Sequence, residues 1–184
     1  MKNFSTWTLE TIRKDTSRMS WMEERRFEWI PLAANAIHKL IDGHTFLLVT
    51  DREREWFARY TLSNLNKPTN NRPFLPIVSL GTVFPYLDTV RDRDSFDMLE
   101  DMLSLSFPNG YTFFYIGKST DARAQIAKRR SDSFLWIMDE HLQNSFRLDS
   151  QDEILDIKLI QLLRLFDKSI DAILFAEVDT DSVV

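Results

Sequence analysis

Asp51 stands directly after a dense apolar run, Thr45-Phe46-Leu47-Leu48-Val49, and leads into Arg52-Glu53-Arg54. A carboxylate at a strand end can hold Mg²⁺ or accept a phosphoryl group. The same carboxylate in the first turn of a helix is stabilised by the helix dipole, and with no glycine nearby to cradle a phosphate this simpler reading is preferred. Gly81-Thr82-Val83-Phe84-Pro85 offers one glycine and one hydroxyl, which marks a strand exit rather than a phosphate loop. Asp88, Asp92, Asp94 and Asp97 interleave with Arg91 and Arg93 without the central glycine and terminal glutamate of a calcium loop, so they read as solvated charge. His38, His44 and His141 form no His-x-x-x-His pair, and the chain has no cysteine, so neither zinc ligands nor thiol nucleophiles are supplied. No Gly-x-Ser-x-Gly elbow occurs. Asp139-Glu140-His141 is a weak acid/base suggestion, and the one compact basic cluster, Lys128-Arg129-Arg130, suits the last turn of a helix. These residues predict no catalytic site, no metal and no cofactor.

The elements that hold these residues follow from their spacing. Phe4, Trp7 and Ile12 suggest a weak amphipathic helix, and Ser20-Trp21-Met22-Glu23 has the form of a capping box opening a helix to about Asp42-Gly43, interrupted by Pro31. The strand at 45–49 passes into Thr50-Asp51-Arg52-Glu53, a second capping box, and a helix to about Leu65. The pattern recurs with a strand at 74–80, a helix at 95–105, a strand at 111–116, a helix at 119–129 and a strand at 133–138. A short strand near 146–148 precedes Ser150-Gln151-Asp152-Glu153, a third capping box, and a helix from about 151 to 175. Alternating β and α with strands apolar on both faces predicts an α/β fold: a three-layer α-β-α sandwich around a doubly wound, mainly parallel, five-stranded sheet of the flavodoxin-like kind. At 184 residues, 43% hydrophobic and 28% charged, without a linker or repeat, the chain reads as a single domain with an N-terminal helical extension over about 1–42. No run approaches the ~18 apolar residues of a membrane span, and the N-terminus lacks an apolar signal core, so a cytoplasmic protein is expected. A net charge of −5 disfavours direct binding to nucleic acid.

At about 100° per residue the last helix divides into two stripes. Ile154, Leu155, Leu159, Leu162, Leu163, Leu165, Phe166, Ile170, Ile173 and Leu174 form the expected core face. Ile157, Ile160 and Phe175 fall on the other side among Arg164, Lys168 and Asp171. Large apolar side chains on a polar face suggest subunit contact or partner docking. Ile157, Ile160, Arg164 and Phe175 are therefore candidate interface residues, with Trp56 and Phe57 next. Trp7, Trp21 and Trp29 on the N-terminal helices add apolar surface that predicts a homo-oligomer.

An ordered set of segments is similar to the HobA family: Asp51-x-x-Arg54-x-Trp56-Phe57, Leu62-Ser63-Asn64-Leu65-Asn66, Arg72-Pro73-x-Leu75, Gly117-Lys118, Ser133-Phe134-Leu135-Trp136 and Leu162-x-x-Leu165-Phe166. The resemblance spans nearly the whole chain. It implies a sugar-isomerase (SIS)-like fold, a homotetramer, and binding of the N-terminal region of DnaA so that several initiators assemble at the replication origin. It further implies an adaptor without catalysis, reaching DNA only through DnaA and making no membrane contact. Pro31, Pro76 and the charged Arg52-Glu53-Arg54-Glu55 depart from the family pattern. Two alternatives stay open. One is a phosphosugar-binding or isomerase domain of the same fold, whose marker would be strand-end loops rich in Ser, Thr and Gly. The other is a phosphoacceptor domain centred on Asp51.

Overall fold

The computed structural model describes residues 2–180. These fall into two compact units, one formed by the chain up to Ile41 together with the chain from Gln151, the other by Asp42–Ser150.

The Asp42–Ser150 unit holds the sheet. Its strands are β2 (Thr45–Thr50), β3 (Ile77–Ser79), β4 (Tyr111–Lys118), β5 (Phe134–Met138) and β6 (Ser145–Leu148), after a short β1 (Lys2–Asn3) in the other unit. They run parallel in the order β3-β2-β4-β5-β6, the doubly wound arrangement that the alternating pattern predicts. Side chains alternate across the sheet. On one face Leu47, Val49, Phe113, Tyr115, Leu135 and Ile137 pack with Phe96, Leu99 and Leu103 of α5 (Arg93–Ser106) and with α6 (Ala124–Lys128). On the other, Phe46, Phe114, Phe134 and Trp136 form an aromatic cluster, with Phe114 4.8 Å from Phe134 and 5.0 Å from Trp136 between ring centroids. Phe57 of α3 (Glu55–Leu65) packs on that face, 6.4 Å from Trp136.

Several boundaries differ from the sequence reading for local reasons. The strand expected over 74–80 shrinks to Ile77–Ser79 because Pro73 and Pro76 lack N–H donors, and the Asn66 carboxamide accepts from Leu75 N–H at 2.8 Å and donates to its carbonyl at 2.9 Å. Leu80 then begins a short α4 (Leu80–Val83). The helix expected over 119–129 is cut to Ala124–Lys128, because Ser119 N–H extends the pairing to Met138 and the Asp121 carboxylate accepts from Arg123 N–H at 2.8 Å in an Asx turn. α5 carries a capping box that the sequence reading missed, with Asp92 accepting from Ser95 N–H at 2.8 Å.

The other unit contains α1 (Phe4–Lys14), α2 (Met22–Ile41) and α7 (Leu155–Leu174), with a parallel pair of two-residue strands, β1 (Lys2–Asn3) and β7 (Val178–Asp179). Trp29 is buried edge-on against Phe166, 6.1 Å away, so its own chain covers an indole that the sequence reading offered to an oligomer contact. Gln161, a polar residue on the core side of α7, accepts from Trp21 Nε1 at 2.7 Å and donates to the Ser17 carbonyl at 2.8 Å, which removes the cost of burying its amide.

Neither helix start expected as a capping box in this unit has that form. Glu23 N–H bonds to the Ser20 carbonyl, and the Glu23 carboxylate accepts from Arg13 at 2.9 Å. At 150–153 the Asp152 carboxylate accepts from Ile154 N–H and from Lys158, so α7 starts later than expected.

Candidate functional site

In a doubly wound sheet, ligands sit beyond the carboxyl ends of the strands where the order reverses. Here that place lies between β2 and β4. Asp51 follows β2 and is buried, as is Arg54. The carboxylate accepts from Arg54 N–H at 3.0 Å, from the Arg54 guanidinium at 2.6 Å and from Lys118 N–H at 2.7 Å. Asp51, not Thr50, is therefore the cap of the turn Arg52–Arg54 that opens α3. Two amides and a guanidinium converging on one point are the donor set an anionic ligand would need, and the protein fills it with its own carboxylate. Gly117 permits the approach, since a Cβ there would lie 2.7 Å from Asp51 Cγ and 2.8 Å from the Tyr115 hydroxyl. Tyr115 donates to the Lys118 carbonyl at 2.7 Å, and burial followed by the nearby Asp51 charge pushes its phenol well above the usual range.

Around this cluster the exposed charges are also paired. Lys118 Nζ meets Glu53 at 2.7 Å, and that hydrogen bond first among several causes holds Glu53 below the usual carboxylate range. Arg123 bridges Glu55 at 2.9 Å and Asp88 at 3.1 Å. A cavity of about 410 Å³ opens beside it, lined by Thr50, Glu55, Arg59, Ser79, Thr82 and Asp88 among others. Its charged walls balance, with Arg123 committed to both acids. The arrangement offers no nucleophile paired with a base, and among the described residues no group of three or more His, Cys, Asp or Glu side chains could hold a metal ion.

The interface candidates occupy different settings. On α7, Ile157 is 53% exposed and Phe175, just past the helix end, 54%; Arg164 is exposed and Ile160 half-buried. At ~1.5 Å per residue, Ile157 and Phe175 stand about 27 Å apart, so the structure does not bring them into one apolar patch. Arg164, Lys168 and Asp171 lie between them. Ile154, expected in the core, precedes the helix and is exposed, which extends the apolar end around Ile157 instead. In the other unit Trp56 is 40% exposed, whereas Phe57 is fully buried against Tyr60 and Trp136. Phe57 is thereby corrected from an interface candidate to a core residue, because a helix that buries one face on a sheet must turn one of two adjacent aromatics inward.

Comparison with known proteins adds to this geometry. The family model described as HobA: DNA replication regulator matches residues 1–180. The chain belongs to the HobA family. One HobA relative is the DNA replication regulator protein HobA of Helicobacter pylori (strain ATCC 700392 / 26695), 28% identical over 184 residues, covering 97% of this chain and 99% of the relative. The crystal structure of a HobA-DnaA (domain I-II) complex from Helicobacter pylori superposes with a TM-score of 0.76 at 28% identity, covering 97% of this chain and 99% of that one. HobA from Helicobacter pylori crystallised as such gives a TM-score of 0.75 at the same identity and coverage. For a HobA-family chain the exposed apolar surface is therefore of first interest, and the sequence reading missed part of it. Phe74, Tyr86, Met98, Met102 and Leu105 are all exposed. The spacing of Met98, Met102 and Leu105 along one helix was the available signal.

Proposed function

We propose that this chain is a DnaA-binding adaptor that captures the N-terminal region of the initiator and promotes its assembly at the replication origin. It acts as a cytoplasmic homotetramer, performs no catalysis and reaches DNA through DnaA. The observation that carries this reading is the likeness, over nearly the whole of both chains, to a HobA solved in complex with DnaA domain I-II. The crevice at the strand ends supports an adaptor without catalysis, because its donors are already spent on Asp51. The net charge of −5 supports indirect rather than direct contact with DNA, and no helix among the described residues is long and apolar enough to cross a membrane. Ile157, Ile160 and Arg164, with Phe175 farther along, are proposed as contact residues for a partner or a second subunit, and Trp56 as a separate one. The test is retention of the full chain on immobilised cognate DnaA domain I-II, with and without origin duplex. Retention by DnaA but not by duplex alone is expected. Retention by duplex alone, or turnover of a phosphosugar by the purified chain, would overturn the reading.

A further inference from the structure

Residues 56–87 contain no Asp or Glu and three cations, Arg59, Lys67 and Arg72, so this stretch carries +3 and the remainder of the chain −8. It forms most of α3, the loop after it, the edge strand β3 and the segment to Leu87, all in the unit that holds the sheet. The loop is firmly built. Besides the paired bonds of Asn66 to Leu75, Arg72 donates to the Leu65 carbonyl at 2.7 Å and Asn70 to the same carbonyl at 3.2 Å, serving a helix end that needs donors. On that loop, between Pro73 and Leu75, Phe74 is 79% exposed. A large aromatic held in place before binding loses little entropy on docking, which is the property of an interface anchor. Arg59 and Lys67 are exposed and have no ion pair among the described residues.

The same unit carries a surface of opposite character. α5 buries Phe96, Leu99 and Leu103 and leaves Met98, Met102 and Leu105 exposed at i, i+4 and i+7, one stripe on the outer side, with Leu105 85% exposed. Asp94 and Asp101 lie along one side of this stripe, exposed and without an ion pair among the described residues. Two α5 helices facing each other would set these acids against one another, which disfavours self-pairing of the stripe. Against the acid-free 56–87 edge the same acids meet cations, and methionine thioethers suit contact with an aromatic ring.

We infer that the α5 stripe of one molecule docks on the 56–87 edge of a second copy, with Phe74 seated among Met98, Met102 and Leu105 and with Arg59 and Lys67 facing Asp94 and Asp101. The contact joins two different patches and rests on the homo-oligomer proposed above. It makes a specific demand on mixtures: a molecule damaged only at Phe74 still offers α5, and one damaged only at α5 still offers Phe74. The experiment compares the parent, Phe74→Ser and Met102→Ser with Leu105→Ser by light scattering across a dilution series, with circular dichroism to confirm folding. Each variant is expected to weaken assembly about tenfold or more, as for loss of a central anchor, and an equimolar mixture of the two to recover heavier species that neither forms alone. Arg59→Glu with Lys67→Glu should likewise weaken assembly and be rescued by Asp94→Lys with Asp101→Lys. Parent-like mass in either variant, or no recovery on mixing, overturns the contact. A monomeric parent removes the oligomer reading as well, while retention on DnaA domain I-II, measured on the same samples, reports separately on the adaptor reading.

Discussion

At the scale of single residues, the decisive group is Asp51. Its side chain and that of Arg54 are 3% and 7% exposed, and removing one partner of such a pair leaves the other charge buried alone. Asp51→Ala is therefore expected to lower the unfolding free energy by about 3 kcal/mol or more, read from urea melts. Gly117→Ala should act on the same cluster, since the added methyl would displace the carboxylate from the Lys118 amide. Asp88 gives a milder, pH-dependent case. The hydrogen bond from Arg123, then the charges of Arg123 and Arg52, hold its carboxyl below the ordinary value of 3.8. A depressed carboxylate stabilises the fold above its unfolded pKa, and the contribution is lost as pH falls through the folded value. Asp88→Asn should thus be less stable than the parent at pH 7, by under ~1 kcal/mol because solvent screens the half-exposed group, and the difference should close below pH 3.8. A difference that persists at pH 2 would show that the acid acts through something other than its charge.

At the scale of elements, α7 has a buried face and an outward one, and the two respond differently to substitution. Leu159, Leu162, Leu163 and Phe166 are buried, so Leu162→Ala should cost about 3 kcal/mol by leaving a cavity. Ile157→Ser with Ile160→Ser should leave folding largely intact, since Ile157 is exposed and Ile160 half-buried, and should weaken assembly or DnaA capture. Parent-like assembly and capture in that variant would return the stripe to ordinary surface. The helix starts teach a related lesson. The three Ser/Thr-x-x-Glu motifs that promised capping boxes are each superseded: Arg13 and Lys118 take the Glu23 and Glu53 carboxylates, and at the third start Asp152, rather than Glu153, holds Ile154 N–H and Lys158. The box that does form uses Asp92 and Ser95, a pair outside the usual Ser/Thr-to-Glu pattern.

At the scale of the whole molecule, charge is unevenly distributed along a chain whose total is −5. The acid-free stretch from 56 to 87 and the outer side of α5 that carries Asp94 and Asp101 are opposite in charge within one unit, which makes self-association sensitive to salt if they meet between copies. Capture of DnaA domain I-II and self-association are therefore separable measurements, and a variant at Phe74 that loses mass while keeping DnaA would assign the two activities to different surfaces.

The sequence by itself determined the parallel α/β class, because apolar strands alternating with helical periodicity admit few other burials, and it determined the poverty of the strand-end loops in catalytic parts. The order of its short segments carried the family. The side chains that face outward were decided by tertiary structure. Trp56 and Phe57 are adjacent in sequence and similar in chemistry, yet the sheet buries only Phe57. Phe74 reads as part of a strand until Asn66 is seen to take up the backbone of Leu75, and Asp51 reads as a first-turn acid on the helix dipole until Gly117 and the Lys118 amide, far along the chain, close over it. Burial depends on neighbours brought together across dozens of residues, and local spacing does not encode those meetings.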